Sequence, residues 1–145
     1  MTTAATIGYG SLFKRGDGAD PEVFTAIAEV TSADPPSSEA DDVEVTNLDS
    51  PNRTKEYIQG MIEAGEASLE MNFLPGDATQ DATTGLIADH AAGTVKNWQM
   101  EFSDAASTTV TFPGYVKRFD PGPVTPSGAL TASCVIKVTG PEVWA

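Results

Sequence analysis

Hydrophobic and polar residues alternate along four stretches of the chain, with the period of two that is typical of β-strands. These stretches are 66–74, 95–103, 107–119 and 129–139. In the first of them, one face carries Ala67, Leu69, Met71 and Phe73, and the opposite face carries Glu66, Ser68, Glu70 and Asn72. Two further stretches, 23–31 and 43–48, alternate more weakly. Such alternation predicts antiparallel sheets with one face on the core and one polar face.

One segment has a helical pattern instead. Asp77 and Gln80 have the spacing of a capping box, and Gly93 is a natural residue just beyond a helix C-terminus. The sequence therefore predicts one α-helix over about residues 78–92. The helix would carry His90, and a single histidine on a helix is more typical of a surface or a satisfied core position than of a metal ligand.

Most of residues 32–65 show neither the pattern of a strand nor that of a helix. Their first part contains Pro35 and Pro36, four acidic residues and no large apolar residue. We expect a long loop with little regular structure around the short strand 43–48, and loops of this length are usually functional or disordered. The loop also carries four apolar groups, which are Tyr57, Ile58, Met61 and Ile62. These groups predict docking onto another surface, and the alternative is that they fold back on their own domain.

Both termini carry aromatic residues without an obvious local core. The arm 1–20 is rich in glycine and contains Tyr9, Leu12 and Phe13, and the tail 141–145 contains Trp144. We expect these groups to pack on a neighbouring molecule. The arm lacks the Gly-Lys-Ser/Thr ending of a phosphate-binding loop.

Length and net charge limit the classes of protein to which this chain can belong. A chain of 145 residues is suited to a single domain, 1–145. The formal net charge is −13, of which residues 1–73 carry −10. Such a chain is not expected to bind nucleic acid, because that requires cations that neutralise phosphate. No apolar run is long enough to predict membrane insertion, and the first residues do not have the pattern of a secretory signal.

The residues needed for catalysis are scarce. The chain has one cysteine and one histidine, so it cannot form an internal disulfide or a cysteine metal cluster. Cys134 lies in an alternating strand and is predicted to be a core thiol. No calcium-binding loop pattern is present among the acidic residues. We therefore predict no cofactor, no metal and no enzymatic activity.

Several segments resemble a known family in their order and spacing. These are Ile27-Ala-Glu-Val30, Pro35-Pro36, Val43–Ser50, Lys55–Ile58, Gly60–Glu63, Gly65-Glu66, Leu69-Glu70, Asn72-Phe73, the predicted helix at Asp77–Ala92, Trp98–Phe102, Phe112-Pro-Gly114 and Ile136–Gly140. Together they resemble the tail tube proteins, or major tail proteins, of long-tailed non-contractile phages, the lambda-like tube family. The resemblance extends over nearly the whole chain.

The resemblance implies a β-sandwich or barrel of packed antiparallel sheets with one flanking helix and a long loop. It implies homo-hexameric rings that stack into a tube around a tape-measure protein, with tail terminator and tail-tip proteins as further partners. Genomic DNA would pass through the lumen without specific binding. The location would be the virion tail, and the host cytoplasm during assembly.

Residue roles follow from the same comparison. An acidic, polar lumen would repel DNA phosphates, and the lumen-facing candidates are Glu66, Ser68, Glu70 and Asn72. The alternative is that this face is outer solvent surface. Contacts between subunits or rings would involve the 32–65 loop and both termini, with Tyr9, Leu12, Phe13, Pro35, Pro36, Tyr57, Ile58, Met61, Ile62 and Trp144 as candidates.

Other functions stay open at this point. A tail subunit of a gene transfer agent or a related secretion-type tube would share the fold and differ in its neighbours. A monomeric β-sandwich that binds sugars or peptides would be a stable monomer with a ligand. A hydrolase that uses acidic residues is the weakest alternative.

Overall fold

A computed structural model describes residues 3–145, so Met1 and Thr2 of the predicted arm lie outside the described residues. Within this range the chain forms ten strands and one α-helix, α1 (Leu86–Ala92). The strands are β1 (Leu12–Gly16), β2 (Phe24–Ala26), β3 (Val30–Asp34), β4 (Glu39–Glu44), β5 (Tyr57–Glu63), β6 (Glu66–Asn72), β7 (Lys96–Glu101), β8 (Thr109–Pro121), β9 (Thr131–Val138) and β10 (Val143–Trp144). All strand pairings are antiparallel.

Eight strands form one continuous sheet in the order β2-β1-β7-β8-β9-β6-β3, with β10 added beside β8. The long strand β8 turns the corner, because its residues 109–114 pair with β7 and its residues 114–121 pair with β9. We call β2, β1, β7, β10 and the first part of β8 sheet I. The second part of β8 with β9, β6 and β3 is sheet II. At the far side β1 and β3 approach each other, so the two sheets enclose a sandwich.

The core lies between the two sheets. Sheet I contributes Phe13, Trp98 and Phe112, and sheet II contributes the alternating residues of β6 and β9, among them Leu69 and Ile136. The Trp98 indole nitrogen donates a hydrogen bond of 3.0 Å to the carbonyl of Gly114, so the largest core side chain has no unsatisfied polar group. A mainly β fold of antiparallel sheets with one helix is confirmed.

The four clearly alternating stretches are all strands, because each has one face on this core. The weaker stretch 23–31 divides into β2 and the start of β3, with a turn between them where Glu29 has a positive φ. Strand β1 falls inside the predicted arm and shows no alternation, since Phe13 is its one large buried side chain.

The helix is shorter than predicted and starts at Leu86 instead of residue 78. The Asp77 carboxylate accepts hydrogen bonds from the backbone and hydroxyl of Thr79, which holds a turn. One turn later the Asp81 carboxylate accepts from the backbone amides of Thr83, Thr84 and Gly85. Because both carboxylates satisfy local amides in turns, residues 77–85 do not continue as helix.

Ion pairs fix α1 against the sheets. Asp89 is buried and accepts hydrogen bonds of 2.6 and 2.9 Å from the Arg15 guanidinium, and the Lys96 ammonium lies 2.9 Å away. Burial raises the pKa of Asp89, but the hydrogen bonds and charges of Arg15 and Lys96 outweigh it and hold the pKa below its usual value. The helix is thereby attached to β1 and β7.

The expectation of little regular structure in residues 32–65 is wrong. Strands β4 and β5 form a separate two-stranded hairpin, joined through a 3₁₀ turn at Pro51–Arg53. The alternation of β5 is hard to detect because both of its faces carry apolar residues and because an extra residue between Gln59 and Ile62 breaks the period of two. Each of the two hairpin strands pairs only with the other among residues 3–145, so the backbone groups on their outer sides have no strand partner.

Candidate assembly surfaces

The hairpin, residues 39–63, carries one aliphatic pair on each of its two faces, because β5 contains an extra residue between Gln59 and Ile62. By strand register, Val43 lies opposite Ile58 and Ala40 lies opposite Ile62. An added side chain at Gly60 would come within 3.0 Å of the Val43 side chain, so the hairpin is tightly packed around Val43. None of the other strands pairs with the hairpin in residues 3–145. Val43, Ile58 and Ile62 are 43%, 56% and 64% exposed, so aliphatic side chains are open to solvent on both faces of the hairpin in the single chain.

Acidic side chains lie among the apolar side chains of the hairpin. Tyr57 is 54% exposed and Met61 is 84% exposed. Their neighbours across the pair are acidic: Glu44 faces Tyr57, and Asp42 faces Gln59 beside Met61. An isolated two-stranded hairpin is marginally stable in water, and clustered exposed apolar groups mark interaction surfaces. Both faces of the hairpin are therefore suited to contact another molecule.

A groove of ≈ 560 Å³ connects the hairpin to the C-terminal tail. Ile62 and Glu63 line it from the hairpin, and Pro141 and Trp144 line it from the tail. Trp144 stacks on Phe102 with ring centroids 5.8 Å apart, and its strand β10 pairs with β8. The tail is thus part of sheet I, while the Trp144 ring stays more than half exposed.

The outward face of sheet II is polar, and we call it the polar face. The lumen candidates Glu66, Ser68, Glu70 and Asn72 all lie on it, because their neighbours in β6 fill the core. From β9 it receives Thr131, Ser133, Val135 and Lys137 at paired register positions. The structure therefore brings the four lumen candidates together on one solvent-facing surface.

The polar face is almost charge-balanced. The strands of sheet II contain four carboxylates, Asp34, Glu66, Glu70 and Asp120, and three cations, Lys117, Arg118 and Lys137. Sequence reasoning missed this because β8 contains an irregularity between Val116 and Arg118. The shifted register turns Lys117 and Arg118, two consecutive residues, toward solvent.

Among residues 3–145 the main sheet has three strands with a partner on one side only. Strands β2 and β3 stand at opposite ends of the strand order, and the short strand β10 pairs only with β8. An open edge exposes unpaired backbone N–H and C=O groups that can pair with another chain. The sheet can therefore be extended by a neighbouring subunit at either end.

The ten predicted interface residues separate by burial. Two of these predictions are wrong. Phe13 is only 2% exposed and lies in the core, and Pro36 is also buried in its own chain. Neither offers its side chain to a neighbour. Pro35 is half-buried. The seven exposed residues are Tyr9, Leu12, Tyr57, Ile58, Met61, Ile62 and Trp144. Sequence reasoning missed Leu48, which is fully exposed beside the hairpin turn.

Residues with reactive or metal-binding chemistry do not assemble into a site. Cys134 is buried, and burial raises the pKa of its thiol to about 12. The His90 ring lies 3.1 Å from the carbonyl of Val116, so it has a local partner. Among residues 3–145 no group of three or more His, Cys, Asp or Glu side chains is arranged to hold a metal ion. In that same range no helix has the length and hydropathy to cross a membrane.

The sequence matches one family over most of its length. Residues 11–145 match the family model for the lambda phage tail tube protein. Among the curated proteins compared with this sequence, none matches.

Solved tail tubes have a similar fold. A chain from the tail of an empty gene transfer agent particle, solved with helical refinement and C6 symmetry, superposes with a TM-score of 0.76 and 22% identity, covering 97% of this chain and 99% of that one. The SPP1 tail tube superposes with a TM-score of 0.63 and 15% identity over 92% and 74% of the two chains. A chain of the extended PVC sheath-tube complex, an extracellular contractile injection system, gives 0.69 and 9% over 99% and 93%. At these identities the likeness concerns the fold.

Proposed function

The chain belongs to the lambda phage tail tube protein family, and on that premise we propose that six copies form a ring and that rings stack into a hollow tube. Membership in this family makes the protein a structural subunit of a virion tail and not an enzyme. The proposal concerns how the subunit builds the tube. The observation that carries it is the hairpin, whose apolar side chains are exposed in the single chain.

The ring follows from the open edges of the sheet. Pairing β3 or β2 with an edge of the next copy would hide backbone groups that otherwise invite uncontrolled association. Closed cyclic symmetry gives every copy the same contacts and leaves no free end. The C6 symmetry of the gene transfer agent tail, whose chain has this fold, supports six copies.

The polar face is the proposed lining of the lumen. Most of its outward residues are polar, and the lining of a water-filled tube needs no apolar partner. DNA would pass along this face without specific binding. A tape-measure protein inside the tube, and tail terminator and tail-tip proteins at its ends, would be the further partners.

The hairpin and the termini are the proposed contacts between subunits and rings. Ile58 and Val43 on one face, with Tyr57 and Ile62 on the other, can be covered on both sides by neighbouring copies. Tyr9, which is 89% exposed, and the Trp144 ring extend the apolar surface at the two ends of the chain. Burying these groups would supply most of the free energy of assembly.

Electron microscopy of hairpin variants tests the proposal. Wild-type protein, concentrated alone or with tail tips, is expected to form hollow rings or tubes with six-fold symmetry. The double variant Tyr57→Asp with Ile58→Asp should remain a folded monomer, because an unpaired carboxylate buried in an interface is strongly unfavourable. The control adds the same charge at exposed residues of another loop, Val124→Asp with Ser127→Asp.

Two results would count against the proposal. Tubes formed by the hairpin variant would contradict the docking role of the hairpin. Wild-type protein that stays monomeric even with tail tips would contradict the ring, and would favour the monomeric binding module.

Labelling tests the orientation of the ring. A cysteine introduced as Ser68→Cys should react with a small maleimide in the tube but not with one carrying a large polymer, whereas the soluble subunit should react with both. Reaction of the tube with the large reagent would place the polar face outside. The native Cys134 does not interfere, because it is buried.

The particle could instead be a gene transfer agent, since two of the similar solved structures come from such particles. Sequencing of the packaged DNA separates the two cases. A gene transfer agent carries fragments of its host's genome, and a phage carries its own.

A further inference from the structure

Three of the eight cations of the chain lie together on the polar face. Lys117 and Arg118 project from β8, where the irregular register brings both to the solvent side, and Lys137 projects from β9. In a chain with a net charge of −13, this is a local concentration of positive charge. It lies on the surface that we propose DNA passes.

Each of these cations has its own carboxylate partner. The Lys117 ammonium lies 2.6 Å from Glu66, and the Lys137 ammonium lies 3.1 Å from Glu63. The Arg118 Nε lies 2.5 Å from the Asp120 carboxylate. All three cations are therefore in contact with an anion.

Glu66 is the central carboxylate of the group. The hydrogen bond from Lys117 is the largest cause that lowers the pKa of Glu66, and the charges of Lys117, Lys137 and Arg118 lower it further. Glu66 also lies directly opposite Lys137 in the strand register. Glu66 therefore lies within the electrostatic influence of all three cations.

Stability does not explain this cluster. Most of its side chains are substantially exposed, among them Lys117 at 53% and Glu66 at 41%, and exposed ion pairs contribute about 0–1 kcal/mol each. A carboxylate can neutralise the charge of a neighbouring cation even when the ion pair adds little to the stability of the fold. Screening acts over a Debye length of about 8 Å at physiological salt, so a phosphate that approaches within this distance meets a cation and its carboxylate together.

We propose that Glu63, Glu66 and Asp120 mask the three cations of the polar face, so that this surface offers no free cation to a polyanion such as the DNA backbone. The consequence for DNA inside the tube rests on the proposed function, which assigns this face to the lumen. The carboxylates then prevent the cations from retaining the passing DNA.

Removing the masking carboxylates changes the net charge of the polar face substantially when six copies are added together. The charge on the strands of sheet II changes from −1 to +1 when Glu66 and Asp120 become amides. In six copies this is a change from −6 to +6 around one circumference. Replacing Glu63 as well frees Lys137.

DNA binding by the soluble subunit tests the masking without assuming a tube. The triple variant Glu63→Gln, Glu66→Gln, Asp120→Asn is compared with wild type by fluorescence anisotropy of a labelled 20-base-pair DNA duplex. The matched control is Glu39→Gln, Asp41→Asn, Asp42→Asn, which has the same net charge. Within residues 3–145 none of those three hairpin carboxylates forms an ion pair. Circular dichroism checks that all three proteins are folded.

We expect the triple variant to bind the duplex at least about tenfold more tightly than the control at 50 mM salt. With three freed cations, its binding should weaken by up to about 40-fold between 50 and 200 mM salt. Equal binding by variant and control, including no binding by either, would overturn the proposal. Wild-type binding as tight as that of the triple variant would also overturn it.

A separate readout distinguishes failure of the tube model. If the soluble triple variant binds DNA but Ser68→Cys in assembled tubes reacts with the large maleimide, the masking holds and the orientation of the ring is wrong. If the orientation holds and the variant does not bind, the masking alone is wrong.

Discussion

Replacing Asp89 with Asn removes the central charge of the ion pairs that fix the helix. Asp89→Asn keeps the size of the side chain, so it creates no cavity, but Arg15 and Lys96 lose their common anion. Breaking a fully buried pair by neutralising one partner costs about 3–5 kcal/mol. The side chains of Arg15 and Lys96 remain 16% and 23% exposed, so water partly compensates them. We therefore expect a loss of about 2–3 kcal/mol.

The assay is urea unfolding of dilute, unassembled subunit, followed by the fluorescence of the buried Trp98. The expected loss corresponds to a fall in Tm of roughly 5–10 °C for a chain of this length. The control is Asp49→Asn, which makes the same charge change in the exposed hairpin loop and should stay within about 0.5 kcal/mol of wild type.

The pH dependence gives a second check. The folded-state pKa of Asp89 is lowered, so its carboxylate stabilises the fold above the unfolded pKa of about 3.9, and that contribution is lost as the pH falls through the folded pKa. The difference between wild type and Asp89→Asn should be complete at pH 7 and should shrink below about pH 4. A loss under about 0.5 kcal/mol at pH 7, or a difference that does not change with pH, would refute the reasoning.

Three further predictions concern the core, the turn before the helix and the hairpin. Cys134, whose pKa is raised to about 12 by burial, should react with a maleimide at pH 8 far more slowly in the folded subunit than in urea, and equal rates would show that the core opens. Gln80 is fully buried and hydrogen-bonded to three backbone groups, so Gln80→Ala should cost about 2–4 kcal/mol in urea unfolding, and a loss below about 1 kcal/mol would contradict that role. Backbone amides of residues 39–63 should exchange hydrogen much faster in the soluble subunit than in the tube, and equal protection would show that assembly does not order the hairpin.

The sequence predicted best those elements whose burial has a simple period. Strand β6 is an example, since Ala67, Leu69 and Met71 are all buried and the residues between them face solvent. Strand β1 could not be found in this way, because Phe13 is its one large buried side chain. The helix start was misplaced because Asp77 has the right spacing for a cap but uses its carboxylate to hold a turn.

The candidate surfaces were predicted in part. Alternation in β6 was sufficient to place Glu66 and its neighbours on one face, since a strand in a two-layer fold has only two faces. The positions of Lys117 and Arg118 depend on a register shift in β8, which no pattern of residue types reveals. Phe13 was assigned to an interface because its partners in the core, such as Trp98 and Phe112, are distant in the sequence, and the burial of Pro36 was not visible in the sequence either.

The negative charge of the subunit is distributed in a way that suits the two proposed surfaces. Residues 39–63 carry seven carboxylates and two cations, a net charge of −5, beside the exposed aliphatic residues of the hairpin. Like charges on the hairpin keep soluble subunits apart, and its apolar side chains favour association once geometry brings the subunits together. The polar face is not proposed to dock onto another subunit, so it needs no excess of carboxylates. There the carboxylates form ion pairs with neighbouring cations. Repulsion between free subunits and neutrality toward DNA are thus assigned to different parts of one acidic chain.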